Sequence, residues 1–131
     1  MTRLQPGAEL GPWIVESVSA EAMHDTAVVL DDPNPIHLSG EAAAAAGLGD
    51  RPVNQGPINF GYILNMLAAS VPGASVRNLR VRLMRNVFAG DRVIAAGRVE
   101  SIEGASAQCT VWLDVDGEGR AVEGTATLTT A

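Results

Sequence analysis

The chain has 131 residues, 47% of them hydrophobic, and a formal net charge of −6, which describes one folded domain with room for a core rather than a disordered chain. An acidic balance excludes a general nucleic-acid binder, because backbone phosphates reward a basic surface. No apolar run reaches bilayer length, no leader-like core follows Met1-Thr2-Arg3, and the lone Cys109 excludes an intrachain disulfide and a cysteine metal cluster, so a cytoplasmic protein without membrane contact is expected.

A strand is expected over residues 10–18, opening at Gly11-Pro12. Ser19 is placed to cap a helix over 20–30, in which Met23, Ala27 and Leu30 recur at helical spacing. Asp32-Pro33-Asn34-Pro35-Ile36-His37 ends that helix, since each proline pushes the residue before it away from α geometry. An alanine-rich helical stretch follows over 41–46, closed by Gly47, and Gly49-Asp50-Arg51-Pro52 reads as a turn. Residues 54–69 give the strongest helix. Asn54 stands at its cap, Pro57 falls in the first turn, and Ile58, Phe60, Tyr62, Ile63, Leu64, Met66 and Leu67 leave almost no polar face.

Such a helix is expected to be buried on most sides. Leu79, Val81 and Leu83 then alternate with Arg80 and Arg82 as a strand with one buried face. Three more strands are expected over 93–102, 107–115 and 121–129, with Gly90-Asp91, Gly104 and Asp116-Gly117-Glu118-Gly119 as turns. The fold class is therefore α+β, an antiparallel sheet curled around a long helix within a single domain over 1–131.

The chemistry sits in the proline loop. Asp32 and His37 are separated by a segment that must curl for both to reach one point, and a carboxylate and an imidazole converging on one water make a general acid/base pair. The competing reading is structural: Asx-turn hydrogen bonds hold the loop, Asn34 pins it through its amide, and His37 is a satisfied loop residue. Arg77, Arg80, Arg82 and Arg85 crowd a stretch free of acids, either as a solvated strand face or as a phosphate site. Trp13, Trp112 and Tyr62 are expected to be packing residues, Cys109 to be a buried small apolar one, His24 to lie on a helix surface and Asp31 to end the first helix. No His and Cys spacing suits a metal, and no serine elbow, phosphate-cradling glycine loop or dinucleotide fingerprint is present, so no cofactor is expected.

Asp32, Asn34, Pro35 and His37 match a D-x-N-P-x-H loop, followed by Leu38-Ser39-Gly40-Glu41-Ala42-Ala43, by Gly47-Leu48 and by the Gln55-Gly56 pair opening the apolar helix. In this order they resemble the MaoC-like, or (R)-specific enoyl-thioester hydratase, family of hot-dog folds, over essentially the whole chain. The resemblance implies a hot-dog fold and a cofactor-independent lyase that interconverts a trans-2-enoyl thioester and a (3R)-3-hydroxyacyl thioester. It makes Asp32 and His37 the catalytic pair that grips the water. It makes the Gly56 backbone N–H the donor to the enolate oxygen, where a helix N-terminus suits developing negative charge.

The implied substrate is an acyl-CoA or acyl-carrier-protein thioester, whose phosphates Arg80, Arg82 and Arg85 are candidates to meet; the implied assembly is a homodimer. Gln55 departs from the family's histidine, keeping a hydrogen-bonding side chain that cannot titrate. Asn34, Gln55 and Asn59 are the supporting loop and pocket residues, with Gln55 and Asn59 equally suited to satisfying buried backbone groups and Gly56 to close packing of the helix start. Two alternatives stay open: a specialised polyketide dehydratase or cyclase, and a non-catalytic hot-dog partner subunit of a heteromeric hydratase.

Overall fold

The structure, a computed structural model, describes residues 3–130; Met1 and Thr2, which begin the stretch read for a leader, lie outside the described residues. The elements run β1 (Glu9–Val15), α1 (Ala20–Leu30), a 3-10 turn (Pro35–His37), α2 (Gly40–Ala45), α3 (Gly56–Ser70), β2 (Ser75–Leu83), β3 (Val93–Glu103), β4 (Ser106–Val115) and β5 (Gly119–Thr129). The strands form one five-stranded sheet in the order β1-β3-β4-β5-β2, antiparallel throughout. Tight turns join β3 to β4 and β4 to β5, so the centre of the sheet is a local meander, while β1 and β2 are brought from either side of the helical region to its two edges.

The sheet bends around α3, and a row across its middle shows how. Leu10, Gly97, Val111, Gly124 and Val81 stand in register, strand by strand. A Cβ at Gly97 would lie 2.7 Å from Thr110 O and 3.5 Å from Met66 Cε of α3. Glycine on both sides of the buried Val111 gives the sheet its curl and admits the helix. Ile63, Met66 and Leu67 from α3 meet Leu10, Val93, Ala95, Val99, Val111 and Leu113 in the resulting core.

Most elements fall within a residue or two of expectation, and the differences have physical causes. β1 ends at Val15 rather than 18, yet Val18 continues the edge, donating to Asp91 O at 2.9 Å and accepting Gly90 N–H at 2.8 Å. α3 begins at Gly56, with Gln55 at the cap position making no side-chain capping bond, so Asn54 is not the cap. α3 is buried along one face only. A single sheet can cover one flank of a helix, and Leu64 on the other flank is 39% exposed. β2 likewise buries little: as an edge strand it pairs, among the described residues, only with β5, and Leu83 is 53% exposed at its end. Trp13, on the other edge strand, is 37% exposed. Among the described residues no helix is long and apolar enough to cross a membrane.

Candidate active site

Three short stretches build the site. In the first, Asp31 takes a left-handed conformation (φ 49°) at the end of α1. The chain then doubles back so that the Asp32 N–H donates to Ala27 O at 2.9 Å. Asp32 Oδ1 accepts the Asn34 N–H at 3.2 Å, and Asn34 Oδ1 accepts the Ile36 N–H at 3.3 Å, capping the 3-10 turn. Asn34 therefore serves the loop. These two Asx bonds curl the diproline segment until Asp32 Oδ2 stands 3.6 Å from His37 Nε2.

The second stretch, residues 52–54, is extended and bonded on both sides. Toward the proline loop, the Val53 N–H donates to Ile36 O at 2.8 Å and Val53 O accepts from His37 Nδ1 at 2.6 Å. Toward the sheet, the Asn54 N–H donates to Val87 O at 2.7 Å and the Ala89 N–H to Pro52 O at 2.9 Å. A carbonyl only accepts, so the proton of the neutral imidazole lies on Nδ1 and the lone pair on Nε2. Nε2 and Asp32 Oδ2 are then two acceptors facing one another across a gap too wide for a direct hydrogen bond. A molecule donating to both fits that arrangement, as does a proton on Nε2 that makes the pair ionic. The carboxylate is 36% exposed and the imidazole 13%, so solvent reaches them from the aspartate side.

The third stretch is the start of α3. The Gly56 N–H, first in the helix, has no acceptor among the described residues, as the first turn of any helix leaves its N–H groups free. Gly56 lies three residues beyond the carbonyl that holds His37, within roughly 10 Å of extended chain. It lines a cavity of about 280 Å³ together with Asn54, Asn59, Leu83, Arg85 and Val87. Asn54 Nδ2 donates to Asn59 Oδ1 at 2.8 Å and approaches the Tyr62 hydroxyl at 3.4 Å. Burial raises the Tyr62 pKa above its ordinary value, offset in part by that bond with Asn54.

The candidate residues thus fall into groups. Asp32, Asn34 and His37 form one cluster; Gly56, Asn59 and Arg85 share the cavity; residues 52–54 join the two. Gln55 faces elsewhere, almost fully buried, with Nε2 donating to Met23 O of α1 at 2.8 Å and Oε1 without a partner among the described residues. Arg82 pairs with Glu123 at 3.4 Å and Arg85 with Glu118 at 3.1 Å, while Arg80 is exposed on β2. Two parts of the site were not read from sequence. The Val53 carbonyl carries no side-chain signal at all. Asn54 was legible only as a capping residue, although a second buried asparagine five residues on was the clue to a polar pair.

A family model described as MaoC like domain matches residues 7–115. No curated protein sequence matches the chain. Among solved structures, the unliganded R-hydratase PhaJ1 from Pseudomonas aeruginosa superposes with a TM-score of 0.87 at 20% identity, covering 97% of this chain and 82% of that one. An (R)-hydratase from A. caviae involved in PHA biosynthesis gives 0.86 at 23%, covering 98% of each chain. The ChsH1–ChsH2 complex from Mycobacterium tuberculosis gives 0.86 at 19%, covering 98% of this chain and 100% of that one. At these identities the likeness is one of fold: the five-stranded antiparallel sheet and its long helix are the hot-dog arrangement.

Proposed function

The chain belongs to the MaoC-like domain family, and from that premise we propose that it is a hydro-lyase interconverting a trans-2-enoyl thioester and a (3R)-3-hydroxyacyl thioester. The observation that carries the reading is the 3.6 Å gap between two facing acceptors, Asp32 Oδ2 and His37 Nε2. Water bridges such a pair by donating to both. In hydration its oxygen bonds to C3 of the enoyl group while one proton passes to the pair, and the pair returns a proton to C2. The dyad ends with the protons it started with, and dehydration runs the same path backwards. Negative charge that gathers on the thioester oxygen between these events is met by the Gly56 N–H at the positive end of α3. No further group is needed for the chemistry, since the thioester itself stabilises the enolate.

The thioester's carrier is coenzyme A or an acyl carrier protein, with Arg80, Arg82 and Arg85 as the cations nearest in kind to its phosphates. The proposed assembly is a homodimer, which the open edge of β2 and the exposed Leu83 and Met84 support. The test is hydration of trans-2-enoyl-CoA, followed by loss of the conjugated thioester's ultraviolet absorbance. Asp32→Asn and His37→Ala should each lower kcat by about 10²–10⁴-fold with the circular-dichroism spectrum unchanged. Near-normal rates in either variant would remove the dyad. A second reading, one subunit of a heteromeric hydratase, rests on the superposition with a two-chain complex; a monomeric mass and no turnover by the protein alone would favour it.

A further inference from the structure

The aspartate of the dyad stands at the end of a helix held chiefly at one residue. Within α1 only Met23 is buried, and Val28 and Val29 lie exposed. Apart from the bonds to its own flanking residues Ser19, Asp31 and Asp32, a single hydrogen bond among the described residues joins α1 to the rest of the fold. It runs from Gln55 Nε2 to Met23 O at 2.8 Å. Gln55 is 1% exposed, and its Oε1 finds no partner among the described residues. An apolar side chain would fill that space without stranding an amide oxygen, so packing alone does not account for glutamine here. What the amide adds is a fixed position for Met23.

That position is passed on to Asp32. One turn beyond Met23, Ala27 O accepts the Asp32 N–H at 2.9 Å, so the carboxylate goes where α1 goes. His37 is held by another element, through the bond from Nδ1 to Val53 O at 2.6 Å. The Asx bonds curl the loop between the two side chains, but its two ends are fixed separately. Val53 and Gln55 lie two residues apart, so one short stretch of chain holds the imidazole directly and the carboxylate by way of α1. We propose that Gln55 is a positioning residue that sets the spacing of Asp32 Oδ2 from His37 Nε2, 3.6 Å in the structure. The inference rests on the hydratase reading, in which one water donates to both atoms and their separation decides whether it can. Buried as it is, Gln55 touches neither water nor substrate, and its influence on the reaction passes through Asp32.

The test follows hydration of trans-but-2-enoyl-CoA in the wild type, Gln55→Met, Gln55→His, Asp32→Asn and the double variant Asp32→Asn/Gln55→Met. Methionine keeps the apolar fill and removes the donor. Histidine returns an N–H at the same reach, since Nε2 is the third atom beyond Cβ in both side chains, and at about pH 8 its imidazole is neutral. Gln55→Met should lower kcat by about 10–100-fold with KM unchanged, and Gln55→His should recover most of that loss. In the Asp32→Asn background Gln55→Met should cost nothing further, because the carboxylate it positions is already gone. A general disturbance of the fold would instead cost the same factor again. Equal losses in the two backgrounds overturn the proposal, as does a wild-type kcat in Gln55→Met. Should Gln55→Met fail to fold, Gln55→His decides: a near-normal kcat upholds the proposal, and a loss beyond about tenfold in folded protein overturns it. Any of these failures beside normal wild-type turnover sinks this inference alone. Absence of wild-type turnover sinks the hydratase reading and this inference with it.

Discussion

The Gly56 amide is the residue-scale feature most easily separated from its surroundings. A Cβ there would sit 3.7 Å from Leu83 Cδ1 and 3.8 Å from Phe60 Cζ, ordinary contacts, so Gly56→Ala should fold and keep most of its activity. Gly56→Pro deletes the N–H at a helix position where proline is tolerated, and should lower kcat by about 10²–10³-fold with little change in melting temperature. Equal rates in the two variants would free the amide of any role. Tyr62 offers a second single-residue check. Its folded pKa lies above the ordinary 10.0 because burial disfavours phenolate. The unfolded chain therefore loses this proton first, so stability is intact below the ordinary value and falls as pH rises toward the folded one. Denaturation in alkaline buffer should show that loss in the wild type and a smaller one in Tyr62→Phe.

At the scale of elements, the start of α3 is fastened to α1 by Gln55. Exchange for Glu turns this bond into a titration: the buried carboxyl can donate to Met23 O only while protonated, which raises its folded pKa. Gln55→Glu should match the wild type below about pH 4.5 and lose roughly 1.4 kcal/mol for each pH unit above it until the folded pKa is passed. A pH-independent difference in melting would show that the side chain reaches solvent instead. Sequence alone reveals α3 and the three central strands because their patterns arise from local periodicity, and Ser19, Pro57 and Gly47 mark ends by local chemistry. It misjudged what covers them. Periodicity reports that Leu64 and Leu83 are apolar, and only the order of strands reveals that one chain leaves both open. The same limit applies to the site. Asp32 and His37 were legible as side chains with a chemistry, whereas the carbonyl of Val53 and the amide pair of Asn54 and Asn59 depend on which backbones meet.

On the scale of the whole molecule, residues 52–54 are where the helical half and the sheet half are joined. Adjacent residues of an extended segment point to opposite sides. The Val53 amide accordingly turns to the proline loop while the Asn54 amide turns to the segment before β3. Freeing either amide means parting this crossbeam from one neighbour, and since the carbonyl between them also moors His37, the histidine cannot swing loose while the beam stays in place. Deuterium should therefore enter both positions at one common rate, and slow release at the second paired with quick release at the first would show a loop that breathes independently of the sheet.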